Sequence, residues 1–323
     1  MGWLGGPEGL PARSMGRPAP QLLATEDGED CDEGPQVVRR RAWRGRAALA
    51  SVFVATAGLA WLGCSTHLRL VPQSAATEVQ LWEPSTEGEP LDVKVLTYNT
   101  FWWNLFGKHG GRGGMAGKLI GNSSSPPFDL MGFQECEDPA RVLSDAGLLH
   151  DYIPLSGWHN IAVAYRKAAW QLLGNGQVDV AEDQWGRKGK HYFGKRAVQW
   201  MRLQHKSTKK TVLFMNHHGP LPVGTGGKWG GWATAHNILN LAQQQGKPGD
   251  AVILVGDFNA NWASPTVKEL QAHLSHVFTG TFFSGIDNIF SNVKGNVVAT
   301  ENLGHGGSDH DALSVTLSVA GNR

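Results

Sequence analysis

The stretch AVILVGDFNA, residues 251–260, decides how this chain is read. Its first half is a short apolar run rich in Val, Ile and Leu, the pattern of a β-strand. Its second half delivers Gly256, Asp257, Phe258 and Asn259 at the strand's C-terminal end. The same arrangement recurs along the chain. The run 93–98 ends in Asn99, the run 128–133 in Gln134 and Glu135, and the run 212–215 in Asn216, His217 and His218. If these strands lie together, their ends place Asn, Glu, His and Asp side chains around one rim.

Working outward, short apolar runs between Gly- and Pro-containing loops predict strands at 92–99, 128–133, 161–166, 197–204, 211–216, 251–256, 286–290, 296–300 and 313–319. A helix is expected over 232–245, with Trp232, Ala235, Ile238, Leu239 and Ala242 on one stripe, ending before Gly246 and Pro248. A second is expected over 265–274, with Ser264 as N-cap and Pro265 at the first helical position. A third fits 139–147. Many strands and few helices predict an α/β protein of packed sheets covered by helices.

The N-terminal third differs in character. Residues 1–46 read as a disordered tail, acidic around Glu26–Glu33 positions 26–33 and basic at Arg39, Arg40, Arg41, Arg44 and Arg46. The apolar stretch 47–64 is 18 residues long, and 47–66 carries no charge. With arginines on its N-terminal side it reads as a single-pass transmembrane signal-anchor. That orientation predicts a cytoplasmic N-terminus and a lumenal or extracellular C-terminal body. A cleaved targeting segment and a buried helix are the alternatives. Residues 67–91 read as a linker, and 92–323 as the globular domain. Three cysteines in 323 residues exclude a disulfide-stapled fold, and Cys136, alone within 92–323, reads as a small packed residue. The net charge of +1 divides unevenly: 8 basic and 11 acidic residues leave 1–91 at −3, whereas 21 and 17 leave 92–323 at +4. A mildly basic body permits a phosphate-bearing substrate without selecting nucleic acid over lipid.

Carboxylates and an Asn amide are hard oxygen ligands that suit Mg²⁺ or Mn²⁺ rather than zinc. The set Thr97-Tyr98-Asn99, Gln134-Glu135, Asn216-His217-His218, Gly256 to Ala260, Ile286 to Phe290 and Ser308-Asp309-His310 resembles the endonuclease/exonuclease/phosphatase superfamily in order and spacing. The resemblance implies a four-layer sandwich of two packed β-sheets flanked by helices, the deoxyribonuclease I-like fold. It also implies metal-dependent cleavage of phosphate esters. By the same resemblance, Glu135 is the principal metal ligand, with Asn99 beside it and Asp309 close by. Asp257 orients or deprotonates the attacking water, and Asn259 bonds that water or a phosphoryl oxygen. His310, held by Asp287, touches the phosphate. His218 donates to the phosphate or the leaving oxygen. Alternation along the strand turns His217 away.

Lys195 and Arg196, with Arg187, Lys188 and Lys190 around Tyr192 and Phe193, read as substrate contacts or a solvated loop. The run 224–231 is Gly-rich but lacks the Gly-Lys-Ser/Thr of a phosphate-binding loop, and reads as a flexible rim. No carboxylate appears at Trp158-His159-Asn160, where nucleases close to deoxyribonuclease I carry one to orient the first histidine. The function expected is a phosphodiesterase or nuclease. The alternatives are a phosphatase or phospholipase C-type enzyme on inositol phosphates, phosphoinositides or sphingomyelin, and a non-catalytic membrane-anchored binding domain. A 5-phosphatase-type Pro-Ala-Trp-Cys-Asp-Arg stretch is absent. No protein partner is implied.

Overall fold

A computed structural model describes residues 79–101, 114–185 and 192–319. The expected tail, the expected anchor at 47–66, linker positions 67–78 and the basic positions 187, 188 and 190 lie outside them. Among the described residues, no helix is long and apolar enough to cross a membrane.

Among the described residues, twelve strands form two six-stranded mixed sheets. The first sheet has the order β11 (Val297–Asn302), β12 (Leu313–Val319), β1 (Leu91–Asn99), β2 (Leu130–Gln134), β4 (Ala162–Arg166), β3 (Tyr152–Ser156). The second has β5 (Trp170–Glu182), β6 (Lys195–His205), β7 (Thr211–His218), β8 (Ala251–Asp257), β10 (Asp287–Ser291), β9 (Ser275–Thr279). Each sheet centres on one parallel pair, β1 with β2 and β7 with β8. Helices α1 (Met115–Asn122) and α2 (Pro139–Asp145) cover the first sheet, and α3 (Gly231–Gln245) and α4 (Pro265–His273) the second.

The two-residue period of the strands divides the apolar side chains into layers. Val93, Val95, Leu130, Phe214, Ile253, Val255 and Val315 meet between the sheets. Leu96, Tyr98, Met131 and Phe133 face α1 and α2 through Ile120, Val142 and Leu143. Leu213, Met215, Val252 and Leu254 face α3 and α4 through Ile238, Leu239, Val267 and Leu270. With both faces covered, β8 is buried at every position, which explains its unbroken apolar run. This is the four-layer α/β sandwich that the resemblance implied.

The start of α4 follows its sequence: the Ser264 hydroxyl accepts from the Val267 N–H at 3.3 Å, and Pro265 opens the helix. The stripe on α3 holds except at Trp232, which is exposed because it occupies the first turn, beyond the end of the sheet.

Residues 79–91 correct the expected linker. Val79 is buried in the outer core of the second sheet, and Leu81 and Trp82 pack against it. The Trp82 indole N–H donates to the Asp250 carbonyl at 2.9 Å, and Asn292 Nδ2 donates to the Trp82 carbonyl at 2.9 Å. Pro84 bridges to Gly249. Pro, Ser and Glu hid this contribution by giving the segment a linker's composition. Trp82→Ala in the full chain should lower stability by about 2 kcal/mol, since a half-buried Trp loses part of the usual large-to-small cost. Urea unfolding checks this; an unchanged midpoint would return 79–91 to the linker.

Candidate active site

Register brings the polar strand ends together. On neighbouring strands of the second sheet, His218 of β7 and Asp287 of β10 both lie opposite Asp257 of β8. In the first sheet, Asn99 of β1 is paired with Gln134 of β2, and Glu135 follows. The two groups meet across the sandwich. Asn99 Nδ2 donates to Glu135 Oε1 at 3.2 Å and to Asp257 Oδ2 at 3.1 Å, joining carboxylates from different sheets. Its Oδ1 accepts from the Phe101 N–H. In this geometry Asn99 positions the two carboxylates, and its oxygen is already engaged.

Asp257 is further fixed by the Asn259 N–H, which donates to Oδ1 at 2.8 Å. Asn259 Nδ2 donates to the Gly219 carbonyl at 3.1 Å. Glu135 and Asn259 both adopt left-handed backbone, with φ of 48° and 47°. Such conformations persist where surrounding structure holds them, and they concentrate at functional sites.

The two histidines have opposite partners. His310 Nδ1 lies 2.9 Å from Asp287 Oδ2, and its Nε2 is 3.7 Å from Asp257 Oδ2. Burial alone would lower His310, but the Asp287 hydrogen bond and the charges of Asp257, Asp287 and Asp309 outweigh it and push it up to about 10. Its partner Asp287 is itself raised to about 7, by burial first, so the two share one proton and the surrounding carboxylates favour the protonated ring. His218 Nδ1 instead faces Arg196 Nη1 at 3.3 Å. Burial, then the charge of Arg196, holds His218 well below the ordinary histidine value. A guanidinium only donates, so Nδ1 is the acceptor and the proton of neutral His218 sits on Nε2. That nitrogen is 3.5 Å from Asp257 Oδ2 and 3.9 Å from Glu135 Oε1. His217 turns the other way as expected: it is buried against Phe258, with Nδ1 2.9 Å from the Ala197 carbonyl.

Arg196 was expected to contact substrate. The structure buries it and gives its Nε and Nη2 to Asp183 at 2.8 and 3.0 Å. Asp183 also accepts from the N–H groups of Phe193 and Leu221, so it anchors two loops beside the site. Sequence reasoning missed Asp183, which lies just past the unpredicted strand β5. Lys195 is exposed, lines the cavity and pairs with Asp179 at 3.1 Å. The carboxylate missing around Trp158 and His159 comes from Asp179, which accepts from both, but it serves those side chains rather than His218.

Asp257, Asp287 and His310 place three potential ligand atoms within 4.8 Å of one another. His310 Nδ1 and Asp287 already bond each other, so this triplet reads as a hydrogen-bonded relay as well as a candidate metal-binding group. Glu135 fits a cation better. Its Oε2 is buried without a hydrogen-bond partner. Burial pushes its carboxyl up to about 7; Asn99 opposes the rise, and Asp257 and Asp309 add to it. Asp309 is also raised, by burial first. A divalent cation held by Glu135 and Asp309 would supply Oε2 with a partner and offset the accumulated negative charge. The Gly-rich rim at 224–231 includes a short 3₁₀ turn, Gly227–Trp229, and forms no phosphate-binding loop. Cys136 is buried, as expected.

This architecture and site define the deoxyribonuclease I-like class of α/β sandwich. The chain belongs to the Endonuclease/Exonuclease/phosphatase family, whose profile matches residues 96–310. Among curated proteins no sequence match is found. Solved structures share the fold at low identity. An endonuclease/exonuclease/phosphatase family protein from Bacteroides thetaiotaomicron is 19% identical, with a TM-score of 0.54 over 71% of this chain and 98% of that one. The mannosyl-6-phosphatase of Bacteroides thetaiotaomicron VPI-5482 is 20% identical, with a TM-score of 0.53 over 69% and 98%. A humanised TDP2 from D. rerio is 15% identical, with a TM-score of 0.51 over 70% and 98%.

The Glu135 shift has a thermodynamic sign. The folded value of about 7 lies above the ordinary 4.5, so the folded state keeps the proton longer. Stability is therefore lost as pH rises from about 4.5 through 7. In EDTA at pH 8, Glu135→Gln should stabilise the protein by about 3 kcal/mol, with the gain vanishing near pH 4. Thermal unfolding at the two pH values tests this, and a destabilised variant at pH 8 would contradict it.

Proposed function

We propose that this chain is a divalent-metal-dependent hydrolase of phosphate esters, most simply a phosphodiesterase of the nuclease kind. The observation that carries the proposal is the in-register trio His218, Asp257 and Asp287, joined through Asn99 to Glu135 of the opposite sheet. Family membership supports the same chemistry.

Glu135 and Asp309 would hold Mg²⁺ or Mn²⁺, which supplies charge neutralisation at the phosphoryl oxygens. The chain's own groups account for the rest. Asp257, fixed by Asn99 and the Asn259 N–H, accepts a proton from a water placed in the cavity. His310, held as a cation by Asp287, donates from Nε2 toward a phosphoryl oxygen, where negative charge grows. Neutral His218 presents its Nε2 proton beside Asp257 and suits a hydrogen-bond donor to the phosphate or the leaving oxygen. Asn259, anchored on Gly219, closes the water's side of the cavity. The reading as a non-catalytic binding domain is disfavoured because these groups are individually held in reactive geometry.

A second reading, a phosphatase or phospholipase C-type enzyme on inositol phosphates, phosphoinositides or sphingomyelin, draws on the apolar segment 47–64. Anchorage of the chain in a membrane through 47–66 is a proposal from sequence alone.

Hydrolysis of bis(p-nitrophenyl) phosphate by the full chain should require Mg²⁺ or Mn²⁺ and stop in EDTA. Asp257→Asn and His310→Ala should each lower kcat by at least about 10²-fold, the usual scale for a general base or charge stabiliser. Plasmid DNA, RNA, inositol phosphates and sphingomyelin as parallel substrates separate the two readings. Full activity in EDTA or in either variant would sink the mechanism.

A further inference from the structure

Eight tryptophans fall among the described residues, and their exposure follows their place in the fold. Trp170 is buried at the start of β5, and Trp82 and Trp200 are half-buried. Trp170 and Trp82 mark one end of the sandwich, beside His205 and Asp250. Trp158, Trp185, Trp229, Trp232 and Trp262 are between 38% and 69% exposed. All five stand at the other end, the one that carries Asp257: Trp158 before β4, Trp185 after β5, Trp229 and Trp232 after β7, and Trp262 after β8. Large rings left in water forgo the stabilisation that burial gives, and their gathering in one place marks an interaction surface.

Three features say which partner fits. First, none of the five lines the cavity that holds Glu135, His218, Asp257 and His310. Rings that grip the body of a small substrate, or stack on successive bases, stand within the binding groove. These stand outside it, and Trp158 is the neighbour in sequence of His159, which does line it.

Second, the five come from four separate connections, β3–β4, β5–β6, β7–α3 and β8–α4. Strands β5 to β8 are successive neighbours in the second sheet, and β4 belongs to the first. A partner met at so many independent points is broad. A protein of that breadth would cover the cavity, whereas a lipid surface is broad and itself presents phosphate esters.

Third, five of the seven exposed aromatic side chains among the described residues are tryptophan. An indole joins an apolar body to one N–H donor, the combination that collects where a bilayer meets water.

The sequence gives a reason for lipid to be at hand. The apolar stretch 47–64 is within the length of a bilayer-spanning helix, and twelve residues, 67–78, separate 47–66 from Val79. Twelve residues reach at most about 40 Å. Strand β8 runs from beside Trp82 to Asp257 in seven residues, or about 23 Å. The tether exceeds the strand, so a chain anchored through 47–66 can turn its cavity to the same bilayer.

We propose that the cavity end of the sandwich is a membrane-docking surface, with Trp158, Trp185, Trp229, Trp232 and Trp262 entering a phospholipid bilayer at headgroup level. Docking needs no turnover, so this stands apart from the phosphoesterase reading. Taken with it, the surface directs the site toward esters held in a bilayer.

The test uses the full chain in EDTA, mixed with vesicles of phosphatidylcholine whose acyl chains are either ordinary or brominated near the headgroup. Bromine quenches only the indoles that enter the bilayer. Subtracting the emission of Trp185→Phe, and separately that of Trp262→Phe, from the wild-type emission isolates one indole at a time. Trp61, within the apolar stretch, cancels in the subtraction. Neither substituted residue lines the cavity, and a wild-type midpoint in urea shows that each variant is folded. Each isolated emission should fall at least about twofold in brominated vesicles, as for a ring at the bilayer interface. Quenching of at least one of the two indoles supports the surface. Quenching of neither overturns it. Shielding from iodide by a single-stranded oligonucleotide, or by a rise in protein concentration without lipid, then assigns these tryptophans to nucleic acid or to a second copy of the chain. Hydrolysis of bis(p-nitrophenyl) phosphate with Mg²⁺ tests the phosphoesterase reading separately, since the quenching is measured without turnover.

Discussion

Two buried amides tie the sheets together just below the site. Gln134 Nε2 donates to Asn216 Oδ1 at 2.6 Å, and Asn216 Nδ2 donates to the carbonyls of Phe133 at 2.8 Å and Ala162 at 3.0 Å. The sheets lie close together here: a Cβ on Gly132 would be 2.8 Å from Val255 and 2.9 Å from Asn216. The apolar core between the sheets favours contact but not one particular sliding position, because burial is non-directional. Hydrogen bonds supply direction, and a buried amide left unpaired costs about 1–3 kcal/mol. Glu135 belongs to one sheet and Asp257 to the other. The Asn99 bridge between them is possible only at the alignment that the Gln134–Asn216 contact sets.

The same alignment depends on strand parity. In β8 the inward positions run Ile253, Val255, Asp257; in β7 they run Val212, Phe214, Asn216, His218. The apolar core and the polar groups of the candidate site thus occupy successive rungs of one ladder. A one-residue slip in β7 would exchange His218 for His217 and place Met215 between the sheets. The apolar rungs therefore protect the polar ones, since misregister would expose or bury the wrong face along the whole strand.

That continuity also explains what could be read from sequence. Strands β1, β2, β7, β8, β10 and β12 are legible because both faces are buried, and their C-terminal polar residues stand out against apolar runs. The unread strands β3, β5 and β9 are all sheet edges. Pro154 interrupts β3, and Gly174 and Gly176 dilute β5, where Gly176 makes room for the Trp200 indole. Helix α1 was missed because Gly117 and Gly121 lower its intrinsic propensity; they allow its backbone to lie against α2 and Ala146. Within the site, Asn99, Glu135, His218, Asp257, Asp287 and His310 were legible as strand-end motifs. The Asp183–Arg196–His218 chain was not. Its members are distant in sequence and belong to no motif, and a basic residue near a phosphate site invites the wrong role.

Arg196 and Asp287 together give the site its chemical asymmetry. Two histidines flank Asp257 on either side, and in water they would titrate alike. Placing a guanidinium behind one and a carboxylate behind the other fixes neutral His218 and cationic His310 at the same pH. The arrangement is possible because Asp183 neutralises Arg196 within the fold, so the guanidinium's charge does not stand alone in the interior. Glu135 is compensated only in part: the Asn99 amide and the charge of His310 oppose its burial, while Asp257 and Asp309 add negative charge and Oε2 stays unpartnered. Arg196, Asp257, Asp287 and His310 each have a hydrogen-bonding protein partner. Glu135 and Asp309 are left as the place where a cation would complete the electrostatics, and the raised Glu135 carboxyl is the mark of a burial that costs stability.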